Sequence, residues 1–239
     1  MYKPRTYRKW TKAEDLVYFE VTDKETDLAV YADSDLKKIA GAIVSRLRRD
    51  LEAYIGGHLE FFSSLEPLEL KSGAPEIART MAEAGRKAGV GPMAAVAGAF
   101  SEFVGRELLK SSKQVIIENG GDIFMASPVP RTIGVYAGEA SPFTGRLAVR
   151  IEGAENGLGI CTSSGTVSHS LSFGKTDAAL VISSSTALAD AAATAVGNAV
   201  KSKEDIEKGI ETARSIEGVK GVLIIVGDKM GTWGEIKLV

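Results

Sequence analysis

Between residues 115 and 183 the chain holds a series of short apolar segments, at 115–117, 123–124, 133–136, 147–151, 158–161 and 179–183, each bounded by Gly, Ser, Asp or other polar residues. Segments this short and this rich in Val, Ile, Leu and Phe read as strands, because polar and turn-forming residues at their ends leave no room for a helical period. Helical periodicity instead occupies the chain before and after them. Strands gathered between two helical blocks, rather than alternating singly with helices, predict an α+β fold with a mainly antiparallel sheet and packed helices.

The flanks sharpen this reading. Residues 16–22 and 28–32 alternate apolar with polar side chains around the polar stretch Asp23-Lys24-Glu25-Thr26-Asp27, the pattern of a β-hairpin. Ser34 is placed to cap a helix whose apolar residues Leu36, Ile39, Ile43, Leu47, Leu51 and Ile55 recur at three and four, with Gly56-Gly57 ending it. A second helix opens at Pro75 and runs to Gly89, and a third spans 93–109 after Gly91-Pro92. Ala94, Ala95, Ala97, Gly98 and Ala99 make one face of that third helix small, suited either to tight helix packing or to a cofactor lying against it. Two further helices are expected at 186–200 and 203–216, the latter opened by Ser202 with Asp205 three residues on. A terminal hairpin follows, with strands at 221–226 and 233–238.

A chain of 239 residues with 44% hydrophobic content can bury a full core, and residues 1–239 read as one continuous domain. A formal net charge of -2, with both signs intermixed, leaves no basic face to track a phosphate backbone, so nucleic acid is not an expected partner. Lys3, Arg5, Arg8 and Lys9 form either a local anion patch or a solvated terminal segment. Cys161 is the single cysteine, which excludes an internal disulfide and multi-cysteine metal sites. No apolar run reaches the length of a membrane span and the start is polar, so the expectation is a cytoplasmic protein without a membrane partner, with homo-oligomerisation left open.

Chemistry-bearing residues concentrate between Cys161 and Thr194. Thr162, Ser163, Ser164, Gly165 and Thr166 follow a strand, and a Gly in a Ser/Thr-rich turn can aim several N–H groups at one anion; an ordinary polar loop is the alternative. His169 is one of two histidines in the chain, a candidate general base or a hydrogen-bonded structural residue. Asp190 and Thr194, four residues apart on a helix, share a face and offer hard oxygen ligands to Mg2+; alternatively the carboxylate answers the dipole of its own helix and the hydroxyl bonds back along it. Cys161 is either a nucleophile or a small buried residue at a strand end.

Taken together, Glu25-Thr26-Asp27-Leu28, the stretch 89–99, Glu118-Asn119-Gly120-Gly121-Asp122-Ile123, Cys161-Thr162-Ser163-Ser164-Gly165-Thr166 and Ala189-Asp190-Ala191-Ala192-Ala193-Thr194 resemble the uncharacterised branch of the ApbE-like superfamily, in order along nearly the whole chain. The resemblance implies the ApbE fold. It also implies kinship with FAD-dependent, Mg2+-requiring transferases that attach FMN to a Thr or Ser of a target protein. In those enzymes a helix-borne Asp and a Thr four residues later bind the metal, a pattern that Asp190 and Thr194 match. Ser163-Ser164-Gly165 corresponds to their Ser-Gly loop, and Asn119, Gly120, Gly121 and Asp122 resemble the glycine pair near their flavin. Three departures are visible: Ala97 stands where those enzymes carry a lysine, His169 where they carry an arginine, and a shorter connection replaces their His-Ile-Asp-Pro segment.

Two functions follow from this reading. One is an ApbE-like protein that binds a flavin (FAD or FMN) or another nucleotide or phosphorylated ligand with Mg2+, His169 serving as the catalytic proton carrier in a transferase version. The other is a non-catalytic accessory or binding protein, which the resemblance links to sulfur (sulfide) assimilation.

Overall fold

The computed structural model describes residues 13–139, 141–166 and 174–239. Eight strands form one sheet in the order β1 (Val17–Asp23), β2 (Thr26–Ala32), β3 (Val115–Asn119), β4 (Asp122–Ala126), β7 (Leu158–Ser163), β8 (Ala178–Ser183), β9 (Val219–Val226) and β10 (Lys229–Gly234). Each ladder in it is antiparallel, and the architecture is the expected α+β one. The two remaining strands, β5 (Arg131–Gly134) and β6 (Ala148–Ile151), were expected near these positions but pair with each other outside the main sheet. Val149 also bridges Leu238, so the C-terminal tail lies against β6 instead of continuing the terminal hairpin.

That tail departs from the expected strand at 233–238 for a local reason. Val226 pairs with Lys229, so Gly227-Asp228 is a two-residue turn and the return strand begins earlier. It ends at Gly234, whose φ of 75° turns the chain out of the ladder. The hairpin of β3 and β4 is equally tight. Gly120 and Gly121 have φ of 68° and 106°, and Asn119 pairs with Asp122, the geometry of a primed turn that follows the right-handed twist of the strands.

Alternation along the strands gives the sheet two apolar faces. On one, Val21, Val30, Val115, Ile117, Val181, Val222 and Ile224 pack against the helices α1 (Lys37–Gly57), α3 (Glu76–Ala88), α4 (Val96–Leu108), α5 (Thr186–Ala199) and α6 (Ile206–Ser215). On the other, Ile116, Met125, Ile160, Leu180, Ile182 and Leu223 meet Ile133, Val149 and Ile151 of the small sheet. A short helix, α2 (Leu59–Ser63), follows α1, and 3-10 turns at Pro92–Ala95 and Lys203–Asp205 lead into α4 and α6.

Helix α1 starts at Lys37, and its first N–H is accepted by the Asp35 carboxylate at 2.9 Å, so Ser34 is not its cap. The buried stripe runs through Ala40, Ile43, Val44, Leu47, Leu51 and Tyr54, leaving Ile39 47% exposed. Ala40, fully buried, takes the place in the core that the expected stripe gave to Ile39. Ser202 and Asp205 form the expected reciprocal capping box. Among the described residues, no single helix is long and apolar enough to cross a membrane.

Candidate functional site

Helices α4 and α5 cross at Gly98, and the lack of a side chain there decides the geometry around it. A Cβ added at Gly98 would lie 2.4 Å from the carbonyl oxygen of Thr186 and 2.8 Å from Cβ of Asp190. The small face of residues 94–99 therefore serves helix packing at this point. Because Gly98 is bare, its main-chain N–H donates to Oδ2 of Asp190 at 2.8 Å, and the N–H of Ala97 also favours the same carboxylate. Asp190 thus answers the open N–H groups at the start of α4, not those of its own helix. It is half-buried, and burial lifts its carboxyl to about 7 despite these two donors.

The same turn of α4 gathers the β3–β4 hairpin. Asn119 donates from Nδ2 to the carbonyl of Ala97 at 3.2 Å, and Ser101 donates from Oγ to the carbonyl of Asp122 at 3.0 Å. Asp122 lies opposite Cys161 in the β4–β7 ladder. Burial, then the neighbouring Asp190 charge, push the Asp122 carboxyl well above the usual range, against the Cys161 thiol and the Thr162 N–H that favour its ionised form. Burial and the same two carboxylates raise the Cys161 thiol as well. Cys161 is fully buried and donates to the carbonyl of Thr186 at 3.4 Å, the environment of a packed thiol, not of a nucleophile.

The structure therefore brings Asn119, Asp122 and Asp190 to the first turns of α4, with Gly120 and Gly121 forming the adjacent turn. Thr162 and Ser163 belong to β7 and pair with Leu180 and Ala179, so the loop proper is Ser164, Gly165 and Thr166. That loop bonds elsewhere: Gly165 N–H donates to the Thr176 carbonyl at 3.0 Å and Thr166 Oγ1 to Asp177 at 2.9 Å. Close contact of Gly165 with Gly174, and of Gly174 with Gly197, sets it near the C-terminal half of α5. His169 lies outside the described residues.

Helix α5 is almost entirely buried, and Asp190, Thr194 and Asn198, four residues apart, form the line along it that stays partly open. Among the described residues, no group of three or more His, Cys, Asp or Glu side chains is arranged around a metal. A cation at Asp190 and Thr194 would therefore draw most of its shell from water and ligand oxygens. One carboxylate and one hydroxyl suit Mg2+ in that setting, whereas a structural zinc site needs four protein donors. An open groove of about 380 Å³ between α3 and the start of α5 has mixed charge, with Glu76, Arg79, Glu83 and Lys87 on its walls, and Asp190 does not line it.

Ser101 and Glu102 carry no sequence motif, and Glu118 enters only as the first residue of the Glu118–Ile123 motif. Glu118 accepts from the N–H of Gly121 at 2.8 Å and stabilises the glycine turn. Glu102 is buried, and its Oε2 accepts from Ser185 Oγ and from the N–H groups of Thr186 and Ala187 at 3.0, 2.7 and 3.2 Å. The signal in the sequence is a lone charge in the run 96–105, where Glu102 stands among small, apolar and aromatic residues and Ser101.

This layering of sheet and helices is the ApbE-like fold. The chain is similar to the apo flavinyl transferase ApbE of Pseudomonas stutzeri, with a TM-score of 0.62 and 15% identity over 94% of each chain. It is similar also to the flavin transferase ApbE of Vibrio cholerae, with a TM-score of 0.63 and 13% identity over 94% of this chain and 97% of that one. At the level of sequence, a family model described as AbpE bacteria matches residues 8–231. A UPF0280 protein of Methanocella arvoryzae is 42% identical over 214 residues, 89% of this chain and 86% of the relative. One from Methanococcus vannielii is 43% identical over 223 residues, 91% of this chain and 90% of the relative. The chain belongs to the UPF0280 family, an ApbE-like branch.

Proposed function

We propose that this protein binds a flavin nucleotide together with Mg2+ and acts as an ApbE-type transferase. The observation that carries the reading is the open line of Asp190 and Thr194 on the otherwise buried α5, with the Asp190 carboxylate set at the start of α4. The likeness in fold to flavin transferases supports the ligand class. Asp190 and Thr194 would hold the metal, which when bound supplies positive charge to a phosphoryl group. The turn of Asn119, Gly120, Gly121 and Asp122 would border the flavin, and the stretch of Thr162, Ser163, Ser164, Gly165 and Thr166 would meet phosphate through its hydroxyls, since the N–H groups of Gly165 and Thr166 are bonded to Thr176 and Ser164.

In the transfer itself, a hydroxyl oxygen of the target protein bonds to the FMN phosphorus of FAD, the pyrophosphate link breaks, and AMP leaves. His169 is the proposed carrier of the hydroxyl proton. A direct test is to incubate the purified protein with FAD and Mg2+, remove free ligand by desalting, and record the visible spectrum. Retained flavin bands that disappear when Mg2+ is omitted support the reading, and a colourless protein under both conditions removes it.

A second reading has its own observation. Ala97 offers no cation where the transferases carry a lysine, and its main chain is taken up by Asp190, Asn119 and Ser101. Ligand binding without transfer is the outcome that favours an accessory protein. That outcome would appear as reversible flavin retention with no AMP released in the presence of a hydroxyl-bearing peptide.

A further inference from the structure

Glu102 stands apart from the other acidic residues of this chain. Its side chain is buried, yet both oxygens are engaged and the two sets of donors come from different helices. Oε1 accepts from Arg106 Nε and Nη2 at 3.0 and 2.8 Å, one turn along its own helix. Oε2 accepts from Ser185 Oγ and from two main-chain N–H groups at the start of α5. Those N–H groups have no partner within their own helix, and a carboxylate there is favoured by the helix dipole as well as by the hydrogen bonds.

Asp190 does the converse. It lies on α5 and accepts from the first N–H groups of α4. Each helix therefore supplies, from its second turn, the carboxylate that satisfies the start of the other. The two contacts share one rigid crossing, made close by Gly98 against Thr186. The Thr186 hydroxyl adds no competing bond, since its buried Oγ1 has no hydrogen-bond partner. The start of α5 is thus filled by Glu102 and Ser185 and is not free to take a ligand phosphate.

We infer that Glu102 is a positioning residue: by fixing the start of α5 on α4 it sets where Asp190 and Thr194 stand, and so controls the affinity of the metal pair. This rests on the reading that Asp190 and Thr194 hold Mg2+. Loss of the Glu102 contact frees α5 to shift or rotate against α4, which loosens the Gly98–Asp190 bond on a neighbouring turn. The half-exposed guanidinium of Arg106 bonds to Oε1, not to the Oε2 that holds α5.

The test compares wild type, Glu102→Ala, Glu102→Gln and Arg106→Gln by calorimetric titration with MgCl2 and by hydrogen exchange at the Gly98 amide. Loss of a charged hydrogen-bond acceptor predicts about tenfold weaker Mg2+ binding and about tenfold faster Gly98 exchange in Glu102→Ala. Glu102→Gln keeps one acceptor for the Thr186 N–H and is expected to recover most of both effects, while Arg106→Gln stays within about twofold of wild type. A folded Glu102→Ala protein with wild-type Mg2+ affinity and wild-type Gly98 exchange overturns the inference. If Glu102→Ala does not fold, Glu102→Asp, one methylene short of α5, is read by the same two measurements. A wild type that binds no Mg2+ removes the metal reading alone, and the exchange rate at Gly98 then decides whether Glu102 positions α5.

Discussion

Gly98 and Asp190, 92 residues apart in the chain, are joined by a 2.8 Å hydrogen bond from the main-chain N–H of one to the carboxylate of the other. The bond exists because the position has no side chain. In Gly98→Ala the new methyl would meet the Thr186 carbonyl, and neither backbone can yield without moving a helix. The expected cost is about 1–3 kcal/mol, the usual range for overpacking a close helix contact. Urea unfolding checks it: the midpoint should fall while the slope stays constant. A variant as stable as wild type would mean that the helices do not approach this closely.

Cys161 is expected to be silent toward thiol reagents in the folded protein. Its thiol is buried, raised by burial and by Asp122 and Asp190, and bonded to the Thr186 carbonyl. Ellman's reagent at pH 8 should therefore react only on unfolding, releasing one equivalent in denaturant and almost none before it. Rapid native labelling would return Cys161 to the list of reactive groups.

Acid stability is tied to a second buried charge. Arg131 is 6% exposed, and its guanidinium donates to both carboxylate oxygens of Asp15, to Gln114 Oε1 and to Ser127 Oγ. The hydrogen bond from Arg131 holds the Asp15 carboxyl below its ordinary value of 3.8. A depressed carboxylate contributes stability that is present above the unfolded value and lost as pH falls through the folded one. Asp15→Asn should therefore lower stability near pH 7 by about 1 kcal/mol, a modest figure because Asp15 is half exposed, and should flatten the loss below pH 4. Thermal midpoints from pH 2 to 7 test the sign; parallel curves for the two proteins would contradict it.

Much of the frame could be read from residue order because local chemistry decides it. Asn119-Gly120-Gly121-Asp122 can close only as a tight turn, and Ser202 with Asp205 opens its helix by contacts three residues apart. Elements that depend on distant partners could not be read in this way. The pair β5 and β6 has ordinary strand composition, and only packing of Ile133 and Val149 under the main sheet explains why it lies apart. Asp190 and Thr194 stood out through their spacing, but the partner of Asp190 belongs to another helix. Glu102 gives no local signal because the N–H groups it binds are 84 and 85 residues away. Ser164, Gly165 and Thr166 lie close to Asp190 in sequence, yet Gly165 bonds to Thr176 and Thr166 to Ser164 and Asp177.

The central claim is that Asp190 carries metal-dependent nucleotide binding. Calorimetric titration of wild type and Asp190→Asn with FAD, each with and without Mg2+, tests it most directly. Asparagine keeps the size of the side chain and an oxygen for the Gly98 N–H but removes the charge a cation needs. The account predicts that Mg2+ strengthens FAD binding about tenfold or more in wild type, and has no effect in the variant. Equal Mg2+ dependence in both proteins, or FAD binding that ignores Mg2+ in wild type, would contradict it.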